Sequence, residues 1–456
     1  MDKRIDLTQG SMVGKLIKLS LPIMGTSFIQ MAYNMTDMIW IGRVGSSAVA
    51  AVGTAGFFTW LAMAFVMISK IGAEIKVAQS IGEKDIKSTK NYITSALQIN
   101  IVLAILYGLF LLGFNKSLIG FFNLGDPEII SMARTYLIVM ALGMVFYFIN
   151  PVFTAIFNGL GDSKTPFIVN TIGLIFNMVF DPILILGLGP VPAMGVLGAA
   201  IATVAAQVVV ALCFVYIIIR RKQEYLKLEI FTKPHMKSIK TICQIGFPAA
   251  VQSGLFTGFS MVIGRIIAVW GPIPIAVQKV GSQIEAISWM TAGGLSTALG
   301  TFVGQNYGAK KYDRIEKGYK ISIGLAVAIG IFASGLLIFF GKPIFSLFIP
   351  ETEAIMQGEV YLKILGYSQL FMCIEITTTG AFNGLGRTYI PSIISIILTG
   401  ARIPMAYILS KPELLGINGI WWSISISSIL KGVVLIVVYL YLRNSGKLYK
   451  TRVAEV

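Results

Sequence analysis

The chain has 456 residues, of which 55% are hydrophobic and 13% charged, with a formal net charge of +16. A soluble protein of this size carries roughly a quarter charged residues and cannot hide so much apolar surface, so the composition excludes a soluble fold and sets the excess against lipid. The basic residues sit in short connectors between apolar runs and form no separate domain, which argues against nucleic acid and matches a membrane-topology bias.

Met1 to Lys18 is polar and basic, and the apolar run that follows is long enough to span, so no cleavable signal peptide is expected. Runs of about 20 apolar residues predict a membrane-spanning helix each. Twelve such runs lie near 15–41, 48–71, 92–114, 132–157, 166–188, 195–219, 241–268, 274–302, 320–341, 355–382, 389–409 and 418–442. The expected fold is therefore an all-α membrane protein with twelve transmembrane helices. Lys and Arg crowd one set of connectors, including Lys3 and Arg4, Lys84 to Lys90, Arg220 to Lys240, Lys310 to Lys317, and Arg443 to Arg452. The alternate connectors hold only Arg43, Lys116, Lys342 and Lys411. This bias places both termini in the cytoplasm. The lysine- and isoleucine-rich composition points to a bacterial inner (plasma) membrane.

Polar residues inside the spans are the functional candidates, because a buried carboxylate is costly unless paired or protonated. Span one carries Pro22, an expected hinge, and then Gln30, Tyr33 and Asp37, spaced i, i+3, i+7 on one face. Span four carries Asn150. Span five carries Asn170, Asn177 and Asp181, with Pro182 next, and span six offers Thr203 at the end of the small-residue stretch Gly198 to Thr203. Asp37, Asn177, Asp181 and Thr203 can form one oxygen-only cluster, suited to Na⁺ or, through a carboxylate, to H⁺. In the second half, Gln252, Lys279, Gln283, Glu285 and Glu375 lie within spans seven, eight and ten, and Glu285 is a candidate partner for Lys279. The expected substrate cavity is lined by Gln30, Tyr33, Asn150, Asn170, Gln252, Gln283, Glu285 and Glu375. Cys213, Cys243 and Cys373 have no pairing or metal spacing and read as packing residues, and the sole histidine, His235, lies in a charged connector.

The chain also repeats itself. Leu21-Pro22 recurs as Phe247-Pro248, Asn158-Gly159-Leu160-Gly161 as Asn383-Gly384-Leu385-Gly386, and Gly195-Val196-Leu197-Gly198 as Gly416-Ile417-Asn418-Gly419. The offsets stay between 221 and 228. With six spans in each half, the halves are parallel repeats about an axis along the membrane normal. The expected division is a six-helix lobe over 1–219, a cytoplasmic connector over 220–240 and a second lobe over 241–456. The region equivalent to Asp181 reads Gly400-Ala401-Arg402-Ile403-Pro404, which assigns ion coupling to the first half.

Over nearly its full length the sequence resembles the multidrug and toxic compound extrusion (MATE) family. The resemblance rests on the Leu21-Pro22 span, Asn34-Met35-Thr36-Asp37 followed by Ile41-Gly42-Arg43-Val44-Gly45, the two Asn-Gly-Leu-Gly repeats and Asn177-Met178-Val179-Phe180-Asp181-Pro182. It implies two pseudo-symmetric six-helix bundles in a V shape and drug export driven by H⁺ or Na⁺ entry. It further implies that Asp37 matches the span-one aspartate, and Asn177, Asp181 and Thr203 the first-lobe cation site, of the branch related to DNA-damage-inducible protein F. Gln252 stands where other branches often place an acid.

The expected function is a secondary antiporter exporting amphiphilic, cationic drugs or toxins as a monomer. Its partners are small molecules and membrane lipid, and it has no cofactor beyond the coupling ion. A lipid-linked oligosaccharide flippase of the same superfamily is the alternative, kept open by Lys279, Arg402 and Lys431. A membrane-embedded transferase is more remote. Neither a second aspartate-rich motif nor a Walker A loop is present.

Overall fold

The computed structural model describes residues 5–187, 191–227 and 229–449. Lys3, Arg4, Lys450 and Arg452, used in the orientation argument, lie outside them. Every regular element among the described residues is helical. The helices are α1 (Met12–Val44), α2 (Ser46–Gly82), α3 (Ile86–Gly120), α4 (Pro127–Leu142), α5 (Met144–Gly159), α6 (Lys164–Leu186), α7 (Gly195–Arg221), α8 (Met236–Ala268), α9 (Pro272–Gly308), α10 (Tyr312–Ser346), α11 (Thr352–Gly384), α12 (Tyr389–Gly400), α13 (Arg402–Leu409) and α14 (Ile417–Asn444). Grouped by the predicted runs they make twelve spans. Nine helical spans among the described residues are both long and apolar enough to cross a membrane, and the bent pair α4/α5 makes a tenth. The helices α9 and α11 are long but more polar, because they carry Lys279, Glu285, Gln369 and Glu375.

Two predicted spans are not single rods. The fourth is broken at Gly143, where α4 and α5 meet at 54°. A Cβ at Gly143 would come within 2.5 Å of Val204 on α7, so the bend lets this backbone lie directly on its neighbour. The eleventh is interrupted at Ala401, between α12 and α13.

The chain forms two compact units. The first comprises residues 1–6 and 25–250, the second residues 7–24 and 251–456. These borders differ from the limits 219 and 241 read from the sequence, and the contacts explain why. The stretch after Leu7 is clamped within the second unit: Arg314 donates to the carbonyl oxygens of Leu7 at 3.0 Å and Gln9 at 3.1 Å, and Lys311 donates to Thr8 O at 2.9 Å. In the first unit, glycine lets α8 and α2 touch backbone to backbone, Gly72 against Ile242 and Gly246 against Ile68. The helices α1 and α8 therefore run from one unit to the other. Their borders fall after Met24 and Ala250, just past Pro22 and Pro248.

The repeat seen in the sequence is a repeat of backbone geometry. The end of α5 and the end of α11 close identically, with Gly161 N–H donating to Asn158 O at 2.8 Å and Gly386 N–H to Asn383 O at 2.7 Å. Gly161 and Gly386 have φ of 83° and 75°, a conformation that favours glycine. In the first unit the core is built on Phe148, Phe153, Phe157 and Phe214, and in the second on Tyr361, Trp421, Tyr319 and Tyr439.

Candidate cation site and cavity walls

Within the first unit, α1, α6 and α7 bring Asp37, Asn177, Asp181 and Thr203 together. The i, i+4 spacing of Asn177 and Asp181 puts them on one face of α6, and Asn177 Nδ2 donates to Asp181 Oδ1 at 2.9 Å. Thr203 Oγ1 donates to Asp37 Oδ2 at 3.4 Å. The Asp37 and Asp181 carboxyls themselves are within hydrogen-bonding reach of each other. Asn177 is 0% and Asp181 1% exposed, whereas Asp37 is half-buried. Three acceptor oxygens in the cluster, Asp37 Oδ1, Asn177 Oδ1 and Asp181 Oδ2, are buried without a donor. Neither acid is ion-paired among the described residues. Pro182, next to Asp181, has no N–H and leaves the carbonyl one turn back on α6 without its helical donor. Such an oxygen-rich site with surplus acceptors and surplus negative charge fits H⁺ or Na⁺.

A small open-sided cavity adjoins this cluster, lined by Gln30, Tyr33, Asn170 and Gln207 among others. Tyr33 belongs to both: its hydroxyl donates to Thr203 O at 3.3 Å. Asn150 reaches the cavity wall indirectly, donating to Gln207 O and Oε1, each at 2.8 Å. Asn170 donates to Pro166 O at 2.7 Å. Four of the eight residues expected to line a substrate cavity, Gln30, Tyr33, Asn150 and Asn170, thus gather in the first unit.

In the second unit the other four do not form one wall. Glu285 on α9 accepts from Gln369 Nε2 at 3.0 Å and from the Tyr361 hydroxyl at 3.4 Å on α11. These two groups, not Lys279, are its partners. Glu375 on α11 is buried and bridged to Lys431 Nζ on α14 at 3.0 Å. An ammonium therefore already neutralises Glu375. Arg402 is the electrostatic neighbour of Glu285 and Glu375, and it donates to Ser427 Oγ at 2.6 Å and Ser428 Oγ at 3.0 Å. Two acids thus face two cations. Gln283 lies on the exposed side of α9 and Gln252 is half-buried on α8. Neither is hydrogen-bonded to these acids.

The family model described as MatE matches residues 22–183 and 248–408, one copy in each half. The chain belongs to the MatE family. Among similar proteins, the probable multidrug resistance protein NorM of Thermotoga maritima is 31% identical over 415 residues, covering 89% of this chain and 88% of that protein. The probable multidrug resistance protein YoeA of Bacillus subtilis is 26% identical, covering 88% and 87%. A solved structure of the outward-facing conformation of a multidrug resistance MATE family transporter superposes with a TM-score of 0.89 at 24% identity, over 99% of this chain and 100% of that one. That likeness establishes the MatE fold here. Membership makes this chain a transporter and not an enzyme.

The two MatE matches open at Pro22 and Pro248, the prolines beside the unit borders. Sequence reasoning missed several polar residues that the MatE fold brings to the sites. Tyr136 on α4 is buried beside Thr203 and the two aspartates, and Gln207 links Asn150 to the cavity. Gln369 and Tyr361 hold Glu285. Gln207 follows Thr203 at i+4 on α7, a spacing that signals the shared face.

Proposed function

We propose that the chain is a secondary antiporter that exports amphiphilic, cationic small molecules across the bacterial plasma membrane in exchange for H⁺ or Na⁺, with both termini in the cytoplasm. The multidrug resistance names of its relatives support the substrate class. The connector bias in Lys and Arg supports the orientation. The single observation that carries the coupling is the contrast between the units: among the described residues the Asp37/Asp181 pair has no counter-charge, while Glu285 and Glu375 lie among Arg402 and Lys431.

Two ionised carboxylates in contact inside a low-dielectric interior repel, and a single positive ion relieves the repulsion. A hydrogen bond between the two carboxyls requires a proton on one of them. A cation taken up by the pair also draws on Asp37 Oδ2, and so on Thr203, whose carbonyl oxygen holds the Tyr33 hydroxyl at the cavity wall. Tyr33 is the path by which ion occupancy reshapes the drug-binding wall. Pro22 weakens the helical ladder of α1 below this point and acts as its hinge. Coupling follows because drug and cation favour different arrangements of one wall.

The test is ethidium efflux from proteoliposomes under an imposed Na⁺ gradient and, separately, an imposed pH gradient. One of the two gradients drives efflux against the dye gradient. A protein that moves dye under neither would overturn this reading.

A further inference from the structure

A second polar cavity lies at the other end of the first unit, where the connector between the halves crosses α3. Lys90, Asn91, Thr94 and Ser95 follow one another at i, i+1, i+4 and i+5 and share one face of the first turns of α3. The connector is tied over that face. Gln98 Nε2 donates to Ile230 O and Thr232 O, each at 2.9 Å, and Lys90 Nζ bridges Glu229 at 2.5 Å. Between them is a small open-sided recess, reached also by Thr232, Lys233 and His235.

The walls of this space consist mostly of hydrogen-bond donors. Two ammonium groups face a single carboxylate, Glu229, and Lys233 has no ion-pair partner among the described residues. His235 Nδ1 is engaged by Ser238, 2.9 Å from its hydroxyl and 3.3 Å from its N–H. At the wall, Ser95 is 1% exposed, and its hydroxyl has no hydrogen-bond partner. A buried hydroxyl is normally satisfied by the helix carbonyl one turn back or by a ligand. Here the helix does not satisfy it.

We propose that this cavity binds a phosphate-bearing anion, supplied by the headgroup of an acidic phospholipid at the membrane surface. The chemistry is that of tetrahedral oxygens taking hydrogen bonds from ammonium, amide and hydroxyl donors. Basic recesses at the ends of transmembrane helices hold anionic headgroups in the same way. Filling the site joins α3 to the connector that leads into α8, so the lipid acts as a structural clasp. This role is independent of the ion pair Asp37/Asp181.

The experiment uses the full-length protein in phosphatidylcholine nanodiscs and follows thermal unfolding by intrinsic fluorescence. One arm replaces part of the lipid with phosphatidylglycerol, and the other adds inorganic phosphate against chloride at matched ionic strength. Phosphatidylglycerol raises the wild-type Tm. Lys233→Glu loses most of that gain, Ser95→Ala loses part of it, and Lys237→Glu, exposed on α8 outside the cavity, keeps it. A gain from inorganic phosphate alone, lost in Lys233→Glu, supports the same site with a soluble ligand. Equal lipid gains in wild type and Lys233→Glu, or an equal loss in Lys237→Glu, overturn the proposal. The readout is the lipid-dependent increment, so a variant that merely lowers the baseline Tm leaves the test intact.

Discussion

Asp37 on α1 and Asp181 on α6 are brought side by side within the first unit, and neither has an ion pair among the described residues. At the equivalent place in the second half the sequence supplies Arg402, and the acids around it are matched by Arg402 itself and Lys431. One fold, duplicated, thus carries an acidic pair short of positive charge in one copy and a balanced network in the other. In the proposed antiport, that difference confines the ion site to the first unit.

The Asn177 amide donates to Asp181 and leaves its own oxygen facing the cluster. Asn177→Ala removes a charge-assisted bond worth about 1.5–3 kcal/mol. That bond favours the ionised carboxylate, so at about 1.4 kcal/mol per decade its loss moves the half-saturating H⁺ concentration of proton-driven efflux roughly tenfold lower, whereas under Na⁺ the lost Oδ1 ligand moves half-saturation higher. Titrating the driving ion in a vesicle efflux assay measures this directly, and an unchanged half-saturation would remove Asn177 from the site.

Tyr33 touches both the cavity and Thr203, so Tyr33→Phe keeps the ring and loses only the bond to Thr203 O. The expected outcome is uncoupling: drug binding stays within about twofold of wild type while the mutual effect of drug and cation shrinks, since reciprocal coupling requires a shared element. Equilibrium binding of a fluorescent substrate with and without the driving ion reads both quantities.

Lys431 and Glu375 are each 9% exposed at the side chain and 3.0 Å apart. Breaking such a pair from one side leaves an uncompensated buried charge, so Lys431→Met lowers stability by about 3–5 kcal/mol. Combining Lys431→Met with Glu375→Gln recovers most of the loss. Thermal unfolding of the two single variants and the double variant tests the assignment of this pair as structural. A drug-efflux defect in Lys431→Met without loss of stability would contradict it.

Outside the membrane, Asp85 caps α3, and the Ser88 N–H and hydroxyl donating to its carboxylate hold its pKa below the usual value of 3.8. A lowered folded-state pKa means that the capping contribution is fully present above about pH 4 and fades as pH falls through the folded value. Asp85→Ala costs about 1 kcal/mol at neutral pH. The Tm difference between wild type and Asp85→Ala accordingly narrows in acid, and a difference independent of pH would show that the cap does not act through its charge.

Much of this was legible in the sequence because a membrane imposes strong patterns. Span length and the Asn-Gly-Leu-Gly repeats each reflect one physical constraint, and the helices follow them. Asp37, Asn177, Asp181 and Thr203 were recoverable because polar groups in apolar helices are rare. The partners of Glu285 and Glu375 were not. Lys279 is close to Glu285 in sequence, but Gln369 and Tyr361 reach it from α11, and Lys431 reaches Glu375 from α14. Helix-to-helix register decides such pairings, and no single-helix periodicity encodes it. The bend at Gly143 is likewise a matter of how helices meet, since its backbone lies against Val204 on α7.

The most direct test of the central claim is drug-evoked ion movement. Purified protein in vesicles, loaded with substrate and given no ion gradient, is monitored for Na⁺ or H⁺ flux as drug moves down its own gradient. Wild type moves the coupling ion against the drug, and Asp37→Asn and Asp181→Asn each abolish that flux. Wild-type ion movement by either neutralised variant would contradict the account.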